Sequence, residues 1–396
     1  MFEPFPGKYV WNLSVAIALA SGGLIGEVDR ACRPLYDLST DNEDEAAQAF
    51  FRSWCALADG LVELAVEDQE RGRGRSAGAK YGRAAIYLQT AERLQAPSYT
   101  PRRAAYAKSL SSFDRYLQLT DQPAERVEIP YGNVNLPAIL VSAESEGPAP
   151  CVLFFNGLDS TKEQIYASGT ADELRRRGIA TLMVDTPGAG EALRLRGLTA
   201  VPDSEHWAAA CIDYLKGRPE VDAEMVGMLA WSLGGYYGPR ATAFEQRLRF
   251  GVAWGACYDW GQTVLRRLAN QGNRSVPHYW EHVRWVWGCH DMDEFLALAP
   301  HITLRGVADR IKVPFLVVHA EHDRQITLQQ AYDFFGDLVN SPNRELKIFT
   351  DREGGVEHCS IDNQPIARDY ICDWIGETVA GLTAGGRAAG ATAVAS

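Results

Sequence analysis

Ser232 lies in the run Leu229, Ala230, Trp231, Ser232, Leu233, Gly234, Gly235, where an apolar stretch ends in small residues. The core reads Ala-x-Ser-x-Gly, a variant of the G-x-S-x-G nucleophile elbow. A strand that delivers a serine to a tight strand-to-helix turn forces strained backbone angles there. The residues two positions either side must then be small, and Ala230 and Gly234 are. A helix beginning near Leu233 would aim its positive end and free N–H groups at the serine.

A serine hydroxyl is a poor nucleophile until a base takes its proton and a third group orients that base. Both partners are expected downstream of the serine, acid first and histidine last. Asp323 falls in the turn after an apolar strand at 313–319, and His358 ends a G-G-V-E-H run on the loop before the last helix. Glu321 is the competing carboxylate, one side-chain alternation away and closer to the strand. The expected triad is Ser232, Asp323 and His358. The strand at 151–155 runs into a loop holding Gly157, Leu158 and Asp159. That loop supplies one N–H to an oxyanion and the residue after the nucleophile supplies the other. Leu158 and Leu233 are the expected donors, and Gly157 gives the room.

Other runs in the chain have residue types that could do different chemistry. The D-T-P-G-A-G-E run at 185–191 lacks the lysine and spacing of a phosphate loop and reads as a turn shaping the site floor. His278 and His282 stand four apart near Cys289, His290 and Asp291, but the pattern is not H-E-x-x-H and the neighbours are aromatic. Packing is therefore expected there, with no metal and no cofactor. Net charge is −12 with no basic stripe, which argues against nucleic acid. Eight cysteines form no C-x-x-C pair, and several sit in apolar runs, as free thiols do in a reducing compartment. No signal peptide is evident at 1–10, and the apolar stretch 15–20 is too short to cross a bilayer, so a cytoplasmic location is expected. The expected partner is a small aromatic molecule, with no nucleic acid and no membrane. Self-association as a homodimer is left open.

Periodicity places the elements that must hold these residues. Residues 1–124 read as a helical cap or lid. Phe50, Trp54, Leu57, Leu61 and Leu64 recur at helical steps within 44–70. A second helix is expected at 77–95, and a third from Thr100 as N-cap and Pro101 in the first turn to about 119. From 125 the pattern becomes a hairpin, then alternating strands and helices up to 380: an α/β unit with a mostly parallel sheet. About 58 residues separate strands ending at 254 and starting at 313, far more than the dozen a crossover needs. This insertion, about 257–310, carries Tyr258, Trp260, Tyr279, Trp280, Trp285, Trp287 and Phe295. It is expected to pack with the N-terminal helices as a lid lined with aromatics, over a flat apolar substrate. The Ala/Gly-rich segment 381–396 reads as a disordered tail.

The runs G-L-D-S-T-K-E from Gly157, D-T-P-G-A-G-E from Asp185, W-S-L-G-G-Y-Y from Trp231 and G-G-V-E-H-C from Gly354 resemble one branch of the α/β-hydrolases. It is the branch with an N-terminal helical cap, that of the bacterial 2,6-dihydroxypseudooxynicotine hydrolases, fungal polyketide-shortening pigment hydrolases and FrsA-like esterases. The resemblance covers about 125–380, and the helices before it only in character. It implies an α/β-hydrolase fold, cleavage of a C–C bond in a 1,3-diketone-like side chain of an aromatic compound, and Ser232, Asp323 and His358 as the triad. Substrate contacts are expected from Gly157, Asp159, Trp231, Tyr258, Asp259 and Trp260. Some relatives also use an acid from the cap, and Asp259, Glu281, Asp291, Asp293 and Glu294 are available. The same triad serves an esterase, lactonase or acyltransferase acting on a bulky apolar ester. A ligand-binding protein without catalysis is the third alternative.

Overall fold

Apolar strands buried on both faces make the middle of the molecule, as a parallel sheet covered by helices requires. The computed structural model describes residues 1–36, 38, 42–270 and 273–393. Its sheet contains β1 (Ala124–Tyr131), β2 (Val134–Val141), β3 (Ala149–Phe155), β4 (Ala180–Val184), β5 (Val221–Trp231), β6 (Leu248–Trp254), β7 (Phe315–Ala320) and β8 (Arg344–Phe349). The order is β1-β2-β4-β3-β5-β6-β7-β8. β2 pairs antiparallel with both β1 and β4, and every other pair is parallel. Alternation assigns the faces. Cys151, Leu153 and Phe155 enter one core, while Val152 and Phe154 enter the other.

The helices are α1 (Tyr9–Ala20), α2 (Ile25–Cys32), α3 (Glu43–Glu70), α4 (Gly74–Arg93), α5 (Pro101–Thr120), α6 (Lys162–Ala167), α7 (Thr170–Arg176), α8 (Gly190–Arg194), α9 (Glu205–Leu215), α10 (Gly234–Phe244), α11 (Trp260–Leu268), α12 (Tyr279–Trp287), α13 (Met292–Leu298), α14 (Leu328–Asp337) and α15 (Gln364–Ala393). α9 and α10 cover one sheet face with Trp207, Cys211, Tyr236 and Tyr237. α7 and α15 cover the other with Leu174, Ile371 and Ile375. The N-terminal helices have their own core, in which Phe50, Trp54, Leu57 and Leu61 of α3 meet Trp11 and Val15 of α1 and Tyr87 of α4. All eight cysteines are free. Among the described residues no helix is long and apolar enough to cross a membrane.

Several details depart from the sequence reading. The stretch 162–176, helical in its residue pattern throughout, folds as two helices, because Gly169 takes a left-handed φ of 74° between α6 and α7. Thr100 has helical angles and caps nothing, so Pro101 alone marks that start. The helices α1 and α2 lay inside a region read only as helical in general. The segment read as a disordered tail continues as helix through Ala393, and 394–396 lie outside the described residues.

A buried ionic cluster ties the cap to the sheet domain. Glu92 of α4 is 1% exposed and accepts from Arg102 of α5 at 2.6 Å and from Arg194 of α8 at 2.7 Å. Burial disfavours the carboxylate, but the two guanidinium groups win and hold its pKa below the ordinary value. Removing one member leaves buried charges uncompensated, a loss of about 3–5 kcal/mol. Glu92→Ala should therefore lower the urea midpoint of unfolding strongly; a midpoint within error of the parent would show that the cluster does not join the two parts.

Candidate active site

β5 ends at Trp231, α10 begins at Gly234, and Ser232 between them has φ 59°, a left-handed angle that side chains rarely adopt. Close packing explains the small neighbours. A Cβ on Gly234 would lie 2.7 Å from the Asn156 carbonyl oxygen, and one on Gly157 would lie 2.8 Å from Ser232 Cβ. Ala230 fits where the elbow pattern has glycine because Gly234 and Gly238 face its methyl group.

His358 lies after β8 and before α15. Its Nε2 is 2.8 Å from Ser232 Oγ, and its Nδ1 is 2.7 Å from Asp323 Oδ2. The other Asp323 oxygen accepts the backbone N–H groups of Gln325 at 2.7 Å and Ile326 at 3.0 Å. His319, on β7, braces this turn: its Nδ1 accepts the Ala256 N–H at 3.2 Å, which leaves Nε2–H to donate to the Ile326 carbonyl at 3.1 Å. Burial holds His319 below the usual histidine range, against the nearby Asp323 charge. Burial also acts to lower His358, but the Asp323 carboxylate overrides it and keeps its pKa well above 6.5. Asp323 is moved the opposite way, below its ordinary value, because the His358 charge outweighs burial. Glu321 is exposed and grouped with His322 and Asp351 at the surface.

The Leu158 and Leu233 N–H groups have no protein acceptor among the described residues. The Gly157 N–H is taken by Ser160 Oγ at 3.0 Å, which also accepts from Trp231 Nε1 at 3.0 Å. The 185–191 run lies off the cavity wall, and this corrects the expectation of a floor. Asp185 is instead a buried hub that holds the loop at 156–162. It accepts from Asn156 Nδ2 at 2.7 Å, Lys162 N at 2.8 Å, Lys162 Nζ at 2.9 Å and Glu191 N at 2.8 Å. Lys162 Nζ also meets Glu163 at 2.7 Å and Glu191 at 2.9 Å. Burial opposes that ammonium, yet the three carboxylates raise its pKa above the normal lysine value. Gln89 of α4 contacts Glu163 and accepts from the Thr161 hydroxyl, so the cap reaches this hub too.

The relay opens onto a cavity lined by residues of the cap and of the sheet domain. Leu13, Ile17 and Ala20, one stripe of α1, form part of its wall with Arg93 of α4 and Trp260, Thr263 and Arg267 of α11. Gly157, Asp159 and Trp231 line it as expected for contacts. Tyr258 and Asp259 do not, which corrects that expectation: the Tyr258 hydroxyl donates to Asp337, while Asp259 caps α11 and pairs with Arg305 at 2.9 Å. The acids Glu281, Asp291, Asp293 and Glu294 are also outside the wall. Most lid aromatics are core of the insertion itself, for Trp287 and Phe295 pack on Trp260 at 5.6 and 5.5 Å between ring centroids. Of the aromatics expected in the lid, Trp260 alone reaches the cavity. His278 Nε2 lies 3.3 Å from Asp44 Oδ1, and His282 is buried beside Trp285. The wall residues that sequence reasoning missed include Arg93, Arg267 and Gln325, which belong to no chemical motif in the sequence.

A mostly parallel eight-stranded sheet with a serine elbow after a central strand is the α/β-hydrolase architecture. Residues 174–380 match the profile of the prolyl oligopeptidase family, and the chain belongs to that family of α/β-hydrolase enzymes. Among curated relatives, the hydrolase acrC of Aspergillus aculeatus is 28% identical, over 95% of this chain and 98% of its own. The 2,6-dihydropseudooxynicotine hydrolase of Paenarthrobacter nicotinovorans is 28% identical, over 82% and 83%. The crystal structure of a 2,6-dihydroxy-pseudo-oxynicotine hydrolase shares the fold with a TM-score of 0.75 at 24% identity, covering 92% of this chain and 95% of that one.

The charge balance at His358 has a direct readout. Its imidazole should titrate above 6.5 by NMR in labelled protein, and in Asp323→Asn it should titrate lower, because the carboxylate that chiefly opposes burial is gone. An equal or higher value in the variant would contradict the Asp323 contact.

Proposed function

We propose that the protein is a serine hydrolase that cleaves a C–C bond in an aromatic or polyketide-derived β-dicarbonyl compound. The observation that carries the hydrolytic part is the relay from Asp323 through His358 to Ser232, at 2.7 and 2.8 Å, beside two unused backbone donors. His358 takes the Ser232 proton as Oγ attacks a carbonyl carbon. The oxyanion sits against the N–H groups of Leu158 and Leu233, a stabilisation of about 3–4 kcal/mol per donor. Collapse breaks the C–C bond, and His358 returns its proton to the departing carbon. Water, activated by the same imidazole, then releases the acyl group as a carboxylic acid.

The choice of bond rests on the cavity and on relatives. A carbon leaving group must be delocalised and protonated away from bulk water, which suits a cavity roofed by α1 and α11. One relative is named a 2,6-dihydropseudooxynicotine hydrolase and another a 20-hydroxy-prefusarin hydrolase. An esterase, lactonase or acyltransferase uses the same relay and needs no closed roof.

Ser232→Ala and His358→Ala should each lower turnover by about 10³-fold or more, since members of such a unit act together. Glu321→Gln should stay close to the parent, and near-normal turnover of Ser232→Ala would remove the nucleophile. Product mass spectrometry separates the bond types. An aryl β-diketone should give a carboxylic acid and a shorter ketone, with simple esters turned over weakly. Fast ester or lactone hydrolysis that leaves the diketone intact would move the assignment to the rival.

A further inference from the structure

Arg267 of α11 is a cation 6% exposed, and it lines the same cavity as Ser232 and His358. Its partners are neutral. Nη1 donates to the Tyr279 hydroxyl, and Nη2 donates to the Gln325 side-chain oxygen at 2.8 Å and the Gln325 carbonyl at 3.4 Å. The guanidinium also stands 4.6 Å from the Tyr279 ring centroid. Among the described residues no carboxylate is in ion-pair contact with it. The contrast with the second wall arginine is sharp, because Arg93 pairs with Asp159 at 2.7 Å. The other buried arginines named above, Arg102 and Arg194, share Glu92. A guanidinium has five N–H donors and these contacts use three, so donors are left for a ligand. A buried charge without a counter-charge is costly, and an anion in the cavity would relieve it.

We infer that Arg267 forms a second anion subsite, which holds the enolate oxygen of the leaving fragment. The inference rests on the C–C reading above and deepens it. Cleavage of a β-dicarbonyl passes its bonding electron pair to the carbon between the two carbonyls. That pair delocalises onto the second carbonyl oxygen, which becomes an enolate as the Ser232 Oγ–acyl bond is kept. The oxygen is distinct from the one held by Leu158 and Leu233, so it needs a separate electrophile. Arg267 supplies a guanidinium charge held in place by Tyr279 and Gln325. His358 then protonates the carbon, the neutral ketone leaves, and water completes the release of the acid. A p-nitrophenyl ester bearing the same acyl group expels an already stable phenolate and has no such oxygen to hold.

The test compares Arg267→Gln and Arg267→Lys with the parent on an aryl β-diketone and on the p-nitrophenyl ester of the same acyl group. Loss of one oxyanion donor of this kind costs about 10²-fold or more in turnover, so Arg267→Gln should lose that much on the diketone and only a few-fold on the ester. Arg267→Lys keeps the charge and should fall between. Equal losses on both substrates would overturn the inference, because bracing Gln325 beside the Asp323 turn would explain them. A second arm measures calorimetric binding to Ser232→Ala of a 2-acyl-1,3-dione, ionised at neutral pH, and of its neutral enol methyl ether. Arg267→Gln in that background should weaken the anion by about tenfold or more and leave the ether unchanged. Unchanged anion affinity would overturn the subsite. If the parent does not cleave the diketone at all, the C–C reading fails while the binding arm still decides whether Arg267 holds an anion.

Discussion

The structure depends on a single strained residue. Ser232 stands at a φ of 59° between β5 and α10, and such an angle persists only where its surroundings fix it. They do so by proximity. The Ser232 N–H donates to the Trp254 carbonyl at 2.9 Å, which extends the pairing of β5 with β6 past the strand end. Gly157, Gly234 and Gly235 leave no space for a side chain, and a Cβ on Gly235 would lie 2.1 Å from the Gly255 oxygen. The turn is therefore locked between the ends of β3 and β6. That lock holds Oγ 2.8 Å from His358 Nε2 and leaves the Leu158 and Leu233 N–H groups without a protein acceptor among the described residues.

Charge organises what geometry alone leaves loose. The loop at 156–162 rests on Asp185, whose two oxygens gather Asn156, Lys162 and the start of α8. The cap is bound to the same region through Glu92, Gln89 and Arg93, so roof and loop are positioned together. Buried ion pairs of this sort are weak sources of net stability, and their value lies in fixing a register. In that setting Arg267 is the exception, a buried cation with neutral company that faces the cavity.

The elbow was legible in the sequence because strain demands small residues at fixed offsets from Ser232. Asp323 and His358 were legible because chain order and loop position narrowed the choice. The strands were legible from apolar runs bounded by turns. The cavity was not. α1 carries apolar residues on most of its faces, so its pattern did not show that Leu13, Ile17 and Ala20 form a wall. Aromatic content in the insertion suggested a lining, but large rings pack best on one another, and Trp260 is the one that reaches the site. Asp185 reads as a loop residue, and nothing local announces that Lys162, more than twenty residues earlier, folds onto it. Networks joining distant segments leave no periodicity.

The hydrolase fold and the family are shared with enzymes of many substrates, so the account stands on Ser232 as the atom that is acylated. Rapid-quench mass spectrometry of the intact protein, with an aryl β-diketone as substrate, tests this most directly. The account predicts a transient mass gain equal to the acyl fragment, mapped by peptide analysis to Ser232 and absent in Ser232→Ala. A label on Cys359, whose sulfur lies 3.6 Å from His358 Nε2, or turnover without any acylated species, would contradict it.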